Sequence, residues 1–118
     1  MSDYAAWRDA FAGVLDPQRY TIEWLDGLVA EGRAIFWGAE DAAMLTELRR
    51  YPTGAMDIHG LVAAGALDTI IGDLIPRAEA WAQTAGCIGA VIDSREGWTR
   101  ALKASGYRPY QTAVRKEL

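Results

Sequence analysis

The stretch from Leu67 to Ala85 constrains this chain more than any other. Leu67, Ile70, Ile71, Leu74, Ile75, Ala78, Trp81, Ala82 and Ala85 recur at intervals of three and four, which lays one continuous apolar stripe along a helix. Gly86 stops the stripe, and Ile88 to Ile92 follows as a short unbroken apolar run, the pattern of a strand covered on both faces. A long amphipathic helix joined so closely to a buried strand needs a sheet to lie on, so the chain reads as α/β. Pro76 sits inside the stripe without an N–H to donate, which predicts a kink or a helix that begins later than the stripe does.

The remaining elements fall around this pair. Tyr4, Trp7, Phe11 and Val14 share a helical face that Ser2 or Asp3 can cap and Asp16-Pro17 terminates. Thr21 can cap a second helix carrying Ile22, Leu25, Leu28 and Val29, ending near Gly32, so the two form a hairpin. Ala34 to Trp37 reads as a strand with Gly38-Ala39-Glu40-Asp41 as its turn. Ala42 to Tyr51 is rich in helix formers, yet it lies between that turn and Pro52-Thr53-Gly54, which leads into a strand over Ala55 to Ala63; the flanking turns favour a strand. After Ile92, Ser94 can cap a helix of about ten residues that closes on a left-handed Gly106, with Tyr107 folded back on Leu102. Pro109 to Leu118 alternates Tyr110, Thr112 and Val114 with Gln111, Ala113 and Arg115, the pattern of a last strand. The predicted order is α-α-β-β-β-α-β-α-β, in a single domain over residues 1–118.

Composition narrows the function classes. With 118 residues there is room for one core, and an apolar share of 51% beside a charged share of 24% is that of a folded domain. Net charge is −4, with ten acids and five bases in residues 1–60 against six acids and seven bases in residues 61–118. That balance argues against a general nucleic-acid surface and makes the second half the place for a phosphate-bearing ligand. The lone Cys87 has no disulfide or metal partner in the sequence, and neither a basic-then-apolar leader nor a membrane-length apolar run is present. The expected location is cytoplasmic, with no membrane association.

Three antiparallel strands, a long helix, a central strand, a short helix and a last strand make the order of a GNAT N-acetyltransferase domain. The wording from Arg33 onward agrees, most clearly in Ala78-Glu79-Ala80-Trp81-Ala82-Gln83-Thr84-Ala85-Gly86-Cys87 and in Gly97-Trp98-Thr99-Arg100-Ala101-Leu102-Lys103-Ala104-Ser105-Gly106-Tyr107. Residues 20 to 118 thus resemble the GNAT superfamily, and Arg95-Glu96-Gly97-Trp98 is similar to a segment of small GNAT-like proteins of phages and prophages. The resemblance implies a mixed, mostly antiparallel sheet flanked by helices. It also implies acetyl-CoA held where two central strands part, its pyrophosphate on the N-terminus of the long helix.

Against that pattern the chain is degenerate. The phosphate-loop signature Gln/Arg-x-x-Gly-x-Gly/Ala falls on Leu67-Asp68-Thr69-Ile70-Ile71-Gly72, where only Gly72 matches; Gly65-Ala66 offers a shorter loop. The position of the tyrosine acid is Leu102, which leaves Tyr107 as a substitute acid or as a core contact. Glu47, Asp57 and His59 are the candidate bases; Asp57 and His59, two apart in a strand, project from one face. Arg95 at the start of the short helix can grip a carboxylate or phosphate, with Trp98 as a wall, or else pair with Asp93 while Trp98 packs in the core. Two readings follow. One is a non-catalytic or divergent GNAT-like binding module that engages a protein partner or self-associates; the other is an acetyl-CoA-dependent N-acetyltransferase acting on an amine. A dimer through the C-terminal strand is a third arrangement.

Overall fold

Ala42–Arg50 is where local propensity and surroundings disagree, and the surroundings prevail. The computed structural model describes residues 4–93, 96–111 and 113–118, and in it this segment is a nine-residue strand. Turns hold it at both ends: Ala39 N–H donates to the Ala42 carbonyl at 2.8 Å, and Gly54 N–H to the Tyr51 carbonyl at 2.8 Å, with Gly54 at φ +89°. The strand's inward residues alternate between two cores, which a solvent-backed helix could not serve.

In chain order the elements are α1 (Tyr4–Val14), α2 (Ile22–Ala30), β1 (Ile35–Gly38), β2 (Ala42–Arg50), β3 (Met56–Gly65), α3 (Leu67–Thr69), a π-helical turn (Ile70–Leu74), α4 (Ile75–Thr84), β4 (Gly89–Ile92), α5 (Glu96–Leu102) and a 3-10 turn (Lys103–Ser105). The sheet order is β1-β2-β3-β4; the first three are antiparallel and β4 runs parallel to β3. Helices cover both faces. Phe11, Leu25 and Leu28 pack with Ala43, Leu45 and Ala64 on one side. Ile70, Leu74, Ile75, Ala78 and Leu102 pack with Met44 and Ile58 on the other. The α1–α2 hairpin is tied by Asp26, which accepts from the Tyr4 hydroxyl at 2.6 Å and from Arg8 at 2.8 Å. Thr21 caps α2 through the Trp24 N–H at 3.3 Å, while Ser2, Asp3 and Ser94, the other predicted caps, lie outside the described residues.

The break expected at Pro76 takes the form of the π turn just before it, where Ile75 N–H reaches back five residues to the Ile70 carbonyl. A proline ring collides with the carbonyl four residues earlier in a regular helix, and a wider turn ahead of it relieves that collision. The predicted last strand is not formed: among the described residues, those after Gly106 carry neither helix nor strand. Alternation alone makes no strand. It needs a hydrogen-bonded neighbour and a surface to bury one side, and here Tyr110 and Val114 stand 70% and 92% exposed.

Candidate functional site

A β-bulge in β3 and a short β4 together make the site. Leu45 faces Val62 and Thr46 faces Gly60, so Leu61 is an extra residue on β3. Ile58 belongs to the core under α4 and, past the bulge, Ala63 packs there, whereas Val62 and Ala64 turn to the α1–α2 side. One inserted residue has exchanged the faces of everything after it. β4 pairs with β3 only from Asp57–Gly89 to Gly60–Ile92; beyond that point β3 continues to Gly65 paired with β2 alone. The two strands part, and a cleft of about 870 Å³ opens between them.

Its walls are Leu61, Val62 and Ala63 of β3, Ala90 to Asp93 at the end of β4, Ala78 and Glu79 of α4, and Trp98 and Tyr107. The other mouth is Val14 to Pro17 and Tyr20, between α1 and α2. Asp16, Glu79 and Asp93 are among the residues lining the cleft, and no lysine or arginine lines it among the described residues. Asp16 is ion-paired with Arg19 and accepts the Gln18 N–H at 3.0 Å. Tyr107 is held from two directions: its N–H reaches the Leu102 carbonyl at 3.3 Å, and its hydroxyl donates to Glu79 Oε2 at 2.5 Å. Burial, with the Glu79 carboxylate beside it, pushes the phenol well above its usual range, so it keeps its proton at neutral pH.

Asp57 and His59 do share a face, and a residue that sequence reasoning missed brings them together. The Tyr51 hydroxyl lies 3.2 Å from Asp57 Oδ2 and 3.1 Å from His59 Nε2. Glu47 and Arg49, opposite them on β2, form an ion pair at 3.1 Å. His59 is only 5% exposed and does not line the cleft. Burial first, then the Arg49 charge, lowers its pKa. The signal for Tyr51 was its place just before the Pro52-Thr53-Gly54 turn, which returns the chain so that residues 51 and 57 become neighbours.

The expected coenzyme positions lie elsewhere. Gly65 has φ +101°, and a Cβ there would come within 2.3 Å of the Asp41 carbonyl oxygen and 2.7 Å of Ala42 Cα. Ala66 N–H already donates to that same carbonyl at 2.9 Å. Gly72 sits in the π turn with open space around it, and neither it nor Gly65 nor Ala66 lines the cleft. Arg95 lies outside the described residues, while Trp98 is half-buried between the α4 core and the cleft.

These features test the fit of acetyl-CoA. β3 passes into α3 through a single residue, Ala66, and the first turn of α3 carries Asp68. Glycine is needed at 65 for backbone approach to Asp41, not for a phosphate. The residues present do not fit the coenzyme's pyrophosphate.

No family model matches the sequence, and no curated protein matches it. Solved structures do. A ribosomal-protein-alanine N-acetyltransferase from Brucella melitensis biovar Abortus 2308 superposes with a TM-score of 0.72 at 12% identity, over 98% of this chain and 94% of that one. A predicted acetyltransferase from Clostridium acetobutylicum, solved with acetyl-CoA, gives 0.71 at 10% identity, covering 98% and 90%. Glucosamine-6-phosphate N-acetyltransferase from Arabidopsis thaliana gives 0.67 at 10% identity, covering 95% and 88%. Likeness over nearly the whole of each chain, at identities this low, establishes the architecture: this is a GNAT-like fold.

Proposed function

We propose that this chain is a GNAT-like binding module whose cleft takes an elongated, cationic amine and does not grip a coenzyme by its phosphates. The lining of the cleft carries this reading. Glu79 and Asp93, with Asp16 in its ion pair to Arg19, line a mostly apolar channel whose wall carries no lysine or arginine among the described residues, a balance that favours an ammonium group over a polyphosphate. Tyr107, fixed on Glu79, holds that carboxylate in position while leaving its second oxygen to accept from a ligand. The similarity of Arg95-Glu96-Gly97-Trp98 to phage and prophage proteins bears on origin and adds nothing to the chemistry. The second reading, an N-acetyltransferase acting on an amine, is favoured by the protonated Tyr107 phenol in the cleft and by the acetyl-CoA in a structural neighbour.

Isothermal titration of spermidine, acetyl-CoA and CoA into the protein separates the two. Saturable, salt-sensitive binding of the polyamine with no coenzyme heat is the expected result. Glu79→Gln, which keeps an acceptor for Tyr107 but removes the charge, should weaken the polyamine by about tenfold. Coenzyme binding, with acetyl transfer to the amine, would establish the enzyme instead.

A further inference from the structure

Glu79 stands between two spaces. Besides the cleft, it lines a smaller pocket of about 240 Å³ between the last turns of α4 and the start of β4, together with Ala82, Gln83, Cys87 and Gly89. Ile58 and Ala90 belong to both linings, so the two spaces share a wall. Three features give the pocket a chemistry of its own. Glu79 and Gln83 are one helical turn apart and lie on one face of α4; Glu79 Oε2 accepts from Tyr107, and among the described residues nothing donates to Oε1. The C-terminal end of α4 lies here, closed by Gly86 at φ +94°, and the negative end of a helix dipole favours a cation. No lysine or arginine lines the pocket among the described residues, and Cys87 brings no charge, because burial and then the Asp57 carboxylate push its thiol pKa up.

We infer that this pocket is a guanidinium site, in which Glu79 Oε1 and the Gln83 side-chain carbonyl accept from one planar head group between the apolar walls of Ile58, Ala82 and Ala90. A guanidinium only donates, through N–H groups in a fixed fork, so it serves two acceptors a turn apart at once. It is also more weakly hydrated than an ammonium and loses less on meeting apolar walls. Oε1 has two lone pairs, so the cleft's amine and this head group each keep an acceptor. A pocket of this size takes the head group and a short stem, which a small alkylguanidine and an arginine side chain both offer.

Amide chemical shifts of the full chain, followed by NMR during titration with propylguanidine, N-acetylarginine methylamide and propylamine at constant ionic strength, test this. The expected result is saturable shifts from Glu79 to Ala90 with both guanidines, the tighter of the two identifying the source as a small molecule or a protein, and binding of propylamine about tenfold weaker. Gln83→Leu, at an exposed site, should keep the fold by circular dichroism and weaken both guanidines about tenfold, while spermidine binding in the cleft is unchanged. Shifts that do not saturate, equal binding of propylamine, or guanidine affinity unchanged in Gln83→Leu would each overturn the proposal. Spermidine is read at Leu61 to Ala63 instead, so failure of the amine reading and failure of this one are separate results.

Discussion

Tyr51 has one hydroxyl proton, and the Asp57 carboxylate beside it can only accept. The Tyr51 oxygen therefore accepts from His59, which places the imidazole proton on Nε2 and leaves buried Nδ1 as a lone pair without a partner. Protonating His59 would bury an N–H with nothing to receive it, among Glu47, Arg49, Asp57 and Asp93, so burial outweighs the nearby acids and the folded pKa falls below 6.5. The unfolded chain then binds the proton first. Stability from this residue is full above about pH 6.5 and is lost as pH falls from there through the lower folded pKa. Urea midpoints should drop between pH 7 and pH 5, and His59→Gln should flatten that drop. An unchanged pH profile in the variant would assign the loss elsewhere. Asp26, held at a pKa of about 2 by Arg8 and Tyr4, acts in a separate and more acidic window, because its stability is present above 3.8 and lost below that.

The bulge at Leu61 is the element on which the site depends, because it sets which residues of β3 face the cleft. Replacing Leu61 by alanine removes apolar contact with the α1–α2 core and should cost about 2 kcal/mol. Deleting it is a different operation: Val62, Ala63 and Ala64 would each turn to the opposite face while their partners on β2 stay in place. The deletion should unfold the domain or cost several times as much as the alanine variant in urea denaturation. Similar costs for the two would mean the register slides without penalty.

At the scale of the whole molecule, the cleft is the space left where β3 and β4 part between two helical layers. Ala90 lies on its wall, half-buried against the α4 core. A phenylalanine there pushes into the cleft past the core it touches, so Ala90→Phe should cost about 1–3 kcal/mol, with the fold retained by circular dichroism. Amine binding should be abolished in the same titration that the wild-type chain passes. Retained affinity would place the ligand outside the parted strands. No helix among the described residues is long and apolar enough to cross a membrane.

What the sequence determined by itself is local or periodic. The stripe from Leu67 to Ala85, the turn residues around Gly54 and Gly106, and the alternation of Asp57 and His59 each depend on neighbours a few positions away, so element order and the GNAT likeness were legible. β2 was legible only through its flanking turns, since its residues favour a helix. Tertiary structure decided the rest. Whether His59 faces solvent, whether Tyr51 reaches it, and whether Gly65 serves a phosphate or the Asp41 backbone depend on which surfaces meet across the sheet. The bulge is invisible in the sequence because Leu61 is extra only relative to β2. The last strand failed for the same reason: its pattern states what the segment can pair with, and only the folded chain shows no neighbour in place.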